Sequence, residues 1–292
     1  MEIPRLALGT ACFKSDDEII KSVTNCVENC GYRHIDTSKD YESETAIGTA
    51  LHDLFQRGVV KREEIWITTK LEEDCHNPEI VESELRGSLK RLQLDYIDLY
   101  LIHWPCETET VDGKCQIIES KYSIIETWKA MEKLVDIGLA KHIGVSNFNI
   151  GLMEKLRVCE DIKIQPFVNQ VEMHLLYQQE AMTEYLNKRG IYIMAYSSLG
   201  AGTHEGKPSV LKNETLIKVA NELGKPVAPV CIKFLQKLGD VVVIAKSTSP
   251  ERNRENSELD FDISDEQMAE LKKCDIGLRF ISIPGFPFSD RW

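Results

Sequence analysis

Eight short apolar runs punctuate the chain: Leu6–Thr10, Arg33–Asp36, Ile65–Lys70, Ile97–His103, Ile143–Ser146, Phe167–Gln170, Tyr192–Tyr196 and Val241–Ala245. They are short and bounded by polar residues, which predicts strands. Between them apolar residues recur three and four apart. Helices are predicted over Glu18–Asn29, through Ala46, Ile47, Ala50, Leu51, Leu54 and Phe55, and over Ile125–Val135, Leu152–Val158, Ala181–Lys188 and Leu216–Leu238. Asn77-Pro78 supplies an N-cap with an N1 proline for one more. Strand–helix alternation without a break in composition predicts one α/β domain over residues 1–292, a (β/α)₈ TIM barrel.

Three successive runs end in an acid, a cation and an imidazole: Asp36, Lys70 and His103, spaced 33 to 34 residues apart. That interval holds a strand, a crossover helix and two short loops. Parallel strands joined by helices point the same way, so these three side chains are expected at one mouth of the barrel. Three segments break the rhythm: Cys106–Ser120, Ser197–Leu211 and the tail Gly277–Trp292. The first two follow strand ends. They, and the aromatic tail, are expected as long loops at the catalytic face.

Composition narrows the function class. A net charge of −12 argues against nucleic acid or an anionic membrane as partner. No run approaches the roughly 20 apolar residues of a membrane span, and the first residues lack the pattern of a signal peptide. Nine cysteines without a Cys-x-x-Cys pair suit reduced thiols in the cytoplasm. Cys26 and Cys30, four apart, could pair on a metal, but two small residues on one helical face is the preferred reading.

Tyr41 lies five residues beyond Asp36. A phenol titrates near ~10 and is a poor acid at neutral pH unless a cation stabilises its anion. Lys70 is the candidate cation, with Asp36 keeping it charged and in place. His103 would orient a carbonyl oxygen by hydrogen bonding. The four describe proton delivery to a carbonyl oxygen, without the nucleophile–base pair of a hydrolase. His34, two residues before Asp36, is read as barrel core rather than as a metal ligand, and no metal is expected.

The chain closely resembles the aldo-keto reductase superfamily, in its aldose and aldehyde reductase branch. The carriers are Gly31-Tyr32-Arg33-His34-Ile35-Asp36-Thr37 with Tyr41-Glu42-Ser43-Glu44, Ile67-Thr68-Thr69-Lys70, and the stretch Asp95 to Pro105. Ile143 to Phe148, Asn169-Gln170-Val171-Glu172, and Lys246-Ser247 with Arg252 and Glu255-Asn256 complete the set. The resemblance implies that Asp36, Tyr41, Lys70 and His103 form a catalytic tetrad with Tyr41 as the acid. It also implies that Ser146, Asn147 and Gln170 bond a nicotinamide carboxamide, that Tyr196 stacks on the ring, and that Glu255 and Asn256 contact adenine. Thr10, Asp36, Ser197, Leu199, Ser247 and Thr248 join the implied cofactor site.

A hydride source is needed for such chemistry, since no side chain supplies one, and a Rossmann glycine signature is absent from the sequence. Ser249-Pro250 reads as a helix cap and N1 proline, leaving free amides that suit an anion. Lys246 and Arg252 add two cations, which favours NADP(H) through its 2′-phosphate. The alternative is a basic loop neutralising Glu251 and Glu255.

Two features depart from the family pattern. Ala11 stands where many relatives carry tryptophan, opening one pocket wall, and few residues precede Leu6 to form a hairpin beneath the barrel. Asp40, beside Tyr41, either reaches the pocket rim to bind sugar hydroxyls or is a solvated loop acid. The reading is a monomeric NADPH-dependent reductase of an aldehyde, such as a pentose or hexose aldose, with His103 and Trp104 positioning the carbonyl. Rivals are a cofactor-binding regulatory protein on the same fold, a reductase of ketones or steroids, and a metal-dependent barrel hydrolase.

Overall fold

A computed structural model of the chain describes residues 2–111, 114–118, 120–200 and 206–281. The strands are β1 (Leu6–Gly9), β2 (His34–Asp36), β3 (Trp66–Leu71), β4 (Ile97–Ile102), β5 (Glu107–Val111), β6 (Lys114–Ile118), β7 (Ala140–Ser146), β8 (Val168–Glu172), β9 (Tyr192–Tyr196) and β10 (Val241–Ala245). The helices are α1 (Asp16–Asn29), α2 (Glu44–Gln56), α3 (Val81–Leu92), α4 (Ile124–Asp136), α5 (Ile150–Arg157), α6 (Glu180–Asn187), α7 (Glu214–Leu223), α8 (Val227–Gln236), α9 (Pro250–Ser257) and α10 (Asp265–Lys272). Eight parallel strands close into a barrel in the order β1-β2-β3-β4-β7-β8-β9-β10, with β10 pairing β1. This is the (β/α)₈ barrel that the alternation predicts.

Strand periodicity divides the core in two. Ala7, Leu99, Leu101, Val168, Met194, Val242 and Ile244 point inward and pack with Ile3 and Trp66. Their neighbours Leu8, Ile35, Ile67, Tyr100, Ile143, Val171 and Val243 face the helices in a second cluster. Gly144 on β7 marks how tightly the interior is filled. A Cβ there would come within 2.8 Å of the Leu101 side chain and of the Val168 carbonyl. Aromatic side chains pack together at the bottom of the barrel. Trp66, His142, Phe167 and Tyr192 form a chain of rings with centroids 4.2 to 5.3 Å apart.

Three sequence expectations are corrected. Leu216–Leu238 is two helices, because Gly224 takes a left-handed conformation (φ +62) that caps α7 and Pro226 precedes α8. Asn77-Pro78 forms a separate turn, in which the Asn77 side chain accepts from the Glu79 amide, and α3 begins only at Val81. Cys106–Ser120 contains the antiparallel hairpin β5–β6. The tail crosses the mouth at least as far as Ile281: Glu172, buried at the end of β8, accepts from the amides of Phe280 (2.5 Å) and Ile281 (2.9 Å). Phe286, Phe288 and Trp292 of the tail, and Gly202 of the Ser197–Leu211 loop, lie outside the described residues.

Candidate active site

The inward parity that fills the lower barrel with Trp66, Val168 and Met194 delivers Lys70, Gln170 and Tyr196 to its upper end. His34 and Asp36 on β2 follow the same rule. His34 is fully buried, with Nδ1 3.2 Å from the Pro4 carbonyl and Nε2 2.9 Å from Thr68 Oγ1, so both nitrogens are occupied by core contacts.

Lys70 Nζ is the hub. It donates to Asp36 Oδ1 at 2.9 Å, to the Thr37 carbonyl at 2.7 Å and to the Tyr41 hydroxyl at 3.2 Å. Gln170 Nε2 donates to the other Asp36 oxygen at 2.7 Å. The Asp36 carbonyl is pinned by the Thr10 amide and hydroxyl, at 3.1 and 2.9 Å. Tyr41 closes a single 3₁₀ turn, Lys39–Tyr41, which directs its ring into the mouth. Its hydroxyl is 3.5 Å from His103 Nε2, with the two rings edge to face.

Burial pushes the Tyr41 phenol up to about 12; the Lys70 charge opposes this, and those of Asp36 and Glu72 add to it. A cation on the next strand predicts easier ionisation of Tyr41; desolvation outweighs it, and Tyr41 is a neutral phenol that keeps its proton. Burial acts to lower Lys70, but Asp36 and Tyr41 more than reverse that and leave it raised. Lys70 is therefore a buried ammonium.

One acid at this site was missed. Glu72, 2% exposed, follows β3 with the parity of Lys70, and its Oε2 lies 2.5 Å from His103 Nδ1. Its Oε1 accepts from the Ser38 hydroxyl and, at 3.2 Å, from the Asp40 amide. Burial raises its carboxyl, but the His103 and Ser38 contacts outweigh it and the net shift is downward. The signal was in the sequence: Lys70-Leu71-Glu72 puts a second ionisable residue on the inward side of the same strand end. Next to it, burial pushes Glu73 up to about 7. Asp40 is exposed at the rim, its carboxyl raised first by partial burial and then by Glu72. Trp104 is buried beside His103, with ring centroids 6.4 Å apart.

The amides expected around a nicotinamide also converge. Asn147 Nδ2 donates to the His103 carbonyl (3.0 Å) and to Ser146 Oγ (3.1 Å), while Asn147 Oδ1 accepts from the Tyr196 hydroxyl at 2.8 Å. Ser146 Oγ donates to the Gln170 carbonyl at 2.9 Å. Cys12, Glu42, Asn147 and Ser197 have φ between +52 and +64, each beyond a strand's C-terminal end. Such left-handed non-glycine residues cost on the order of 1 kcal/mol or more, and their gathering at one mouth is the signature of a functional face. Leu199 packs against the core below it.

Past β10, Ser249 caps α9 by accepting from the Arg252 amide, with Pro250 at N1, as expected. Lys246 Nζ reaches back to the Cys12 carbonyl (2.9 Å) and lies 4.8 Å from the centre of the Phe13 ring. Among the described residues neither Lys246 nor Arg252 pairs with Glu251 or Glu255, so the neutralising-loop alternative lacks its ion pairs. Ser247, Thr248 and Glu255 are exposed or half-exposed around this cap, and Asn256 is buried beneath it. Two exposed or half-exposed hydroxyls, two cations and a capped helix start fit the phosphate end of a dinucleotide.

Residues 5–276 match the model of the aldo/keto reductase family. Similar proteins include aldose reductase B of Dictyostelium discoideum, 38% identical over 97% of this chain and 94% of that one. An aldo/keto reductase of Synechocystis is 37% identical over 99% and 92%. Estradiol 17 beta-dehydrogenase 5 of Mus musculus is 36% identical over 99% and 95%.

Proposed function

The chain belongs to the aldo/keto reductase family, and on that premise we propose that it reduces an aldehyde, in particular an aldose, to the alcohol with NADPH. The observation that carries this reading is the Lys70 ammonium, buried and shared between Asp36 and the Tyr41 hydroxyl. NADP(H), when bound, supplies the hydride. Tyr41, neutral and facing the mouth, gives its proton to the carbonyl oxygen. Lys70 stabilises the phenolate left behind, and Asp36 keeps Lys70 charged within the barrel. His103 and Trp104 orient the carbonyl.

Ser146, Asn147, Gln170 and Tyr196 hold the nicotinamide end. Thr10, Ser197 and Leu199 line the mouth between them, and Lys246, Ser247, Thr248 and Arg252 bind the 2′-phosphate, with Glu255 and Asn256 toward the adenine. The whole chain acts as one catalytic domain and as a monomer. The free thiols among the described cysteines support a reducing, cytoplasmic setting, and no described helix is long and apolar enough to cross a membrane.

Asp40 favours hydroxylated substrates over apolar ones. A second reading, reduction of ketosteroids, is favoured by the similarity to an estradiol dehydrogenase. Purified protein with NADPH, tested on aldoses, short and aromatic aldehydes and ketosteroids by the loss of NADPH absorbance, separates the two. A protein that binds NADPH and oxidises it with none of them would be a cofactor-binding regulator, and the reductase reading would fail.

A further inference from the structure

His103 has its two nitrogens committed to opposite neighbours. Nδ1 faces Glu72 Oε2 at 2.5 Å, and Nε2 faces the Tyr41 hydroxyl at 3.5 Å, where a carbonyl oxygen would enter. An ionised carboxylate can only accept, so Nδ1 must carry a proton. A neutral His103 would then have a bare lone pair on Nε2. That lone pair would repel a carbonyl oxygen instead of donating to it.

From this geometry we propose that Glu72 is a positioning residue that holds His103 with its proton on Nδ1, so that Nε2 donates to the substrate oxygen only when both ring nitrogens carry protons. The inference rests on the reductase reading for its consequence, but the pairing itself stands on the distances alone. Glu72 is well built for the role. It is buried, it is fixed from behind by the Ser38 hydroxyl and the Asp40 amide, and those donors sit on the oxygen that His103 does not use. The net downward shift of its carboxyl keeps it ionised at neutral pH. Ser38 Oγ is also 3.5 Å from Nδ1, which restrains the ring from flipping.

The acids around His103 are Glu72, Glu73 and Asp40, with the cation Lys70 further off. Glu72 and Glu73 face it from the segment after β3, and Asp40 and Tyr41 from the turn after β2. Lys70, the nearby cation, lies on the other side of Tyr41 and is paired with Asp36. From β7, Asn147 touches only the backbone carbonyl of His103. Of these acids it is Glu72 that touches the His103 ring.

The test uses the full chain. Nitrogen-15 spectra of histidine-labelled protein, with His103 assigned by the signals missing from His103→Asn, report which ring nitrogen is protonated. Wild type should show a proton on Nδ1. Glu72→Gln keeps the shape and an acceptor but removes the charge. It should lose roughly tenfold to a hundredfold in kcat/KM for aldehyde reduction at neutral pH and keep its NADPH affinity. A wild-type spectrum with Nδ1 unprotonated and the proton on Nε2 would overturn the proposal, even if Glu72→Gln failed to fold. So would a folded Glu72→Gln with wild-type kinetics. The spectra need neither cofactor nor substrate. A protein with the pair intact that reduces no carbonyl would therefore sink the reductase reading and leave the pairing supported.

Discussion

Lys70→Met is the most informative single change, because it removes a charge from a place that water does not reach. Lys70 is 1% exposed, and its ammonium makes three hydrogen bonds, one of them to an Asp36 carboxylate that is itself 3% exposed. The methionine keeps the length of the stem and leaves Asp36 with one side-chain donor, Gln170. Breaking a buried pair by removing one partner costs about 3–5 kcal/mol, most of it the penalty of the uncompensated charge. Asp36→Asn should cost a comparable amount for the converse reason. The double variant Asp36→Asn/Lys70→Met removes both charges and should recover about 2 kcal/mol or more relative to the sum of the singles. Urea denaturation of the cofactor-free proteins, followed by tryptophan fluorescence, measures all four corners of that cycle. Activity provides an independent readout. Lys70→Met should reduce aldehydes ~10²–10⁴-fold more slowly, since the phenolate of Tyr41 loses its counter-charge. If Lys70→Met were as stable as wild type, or the two singles added within about 0.5 kcal/mol, the buried ion pair would not be the energetic centre of this site. An unchanged pH profile would remove Lys70 as the group that tunes Tyr41.

Tyr41→Phe should fold, bind NADPH and lose most carbonyl reduction, ~10²–10⁴-fold as for removal of a general acid; wild-type turnover in the pure variant would end the assignment of Tyr41. Lys246→Ala or Arg252→Ala should weaken NADPH roughly tenfold to a hundredfold and NADH much less, measured by fluorescence titration, because a charge-assisted bond to the 2′-phosphate is worth ~1.5–3 kcal/mol. Equal losses for both cofactors would show that neither residue reads that phosphate. Asp40→Val should raise KM for xylose and leave a benzaldehyde nearly unaffected, by the ~0.5–1.5 kcal/mol of one hydroxyl contact. A parallel loss on both substrates, or none on either, would return Asp40 to a solvated loop acid.

The barrel was legible in the chain because its two patterns, short apolar runs and helical spacing, are local. Short apolar runs such as Trp66–Leu71 and helical spacing such as that of α2 need no knowledge of distant residues. Parallel strands then force Asp36, Lys70 and His103 to a common mouth, so the central cluster could be named before any coordinate. Ser249-Pro250 was equally local, a cap whose partner lies three residues away. The break of Leu216–Leu238 was also within reach. Gly224 and Pro226 are plain in the sequence, and the apolar run on either side masked them.

What the sequence could not decide depended on distances through space. The balance at Tyr41 is one case. Its type, and a cation on the next strand, argue for an easier ionisation, but the depth of the phenol in the closed barrel sets a desolvation that Lys70 does not overcome. Glu72 is another: its parity marks it as inward, yet only the turn carrying Ser38 and Asp40 gives it donors, and only the end of β4 sets His103 against it. The aromatic rings that close the barrel floor come from β3, β7, β9 and the approach to β8, and nothing in any one of those segments announces the others. Periodicity and chain direction are properties of neighbours in sequence. Desolvation, hydrogen-bond partners and ring packing are properties of neighbours in space, and they exist only once the eight strands have closed.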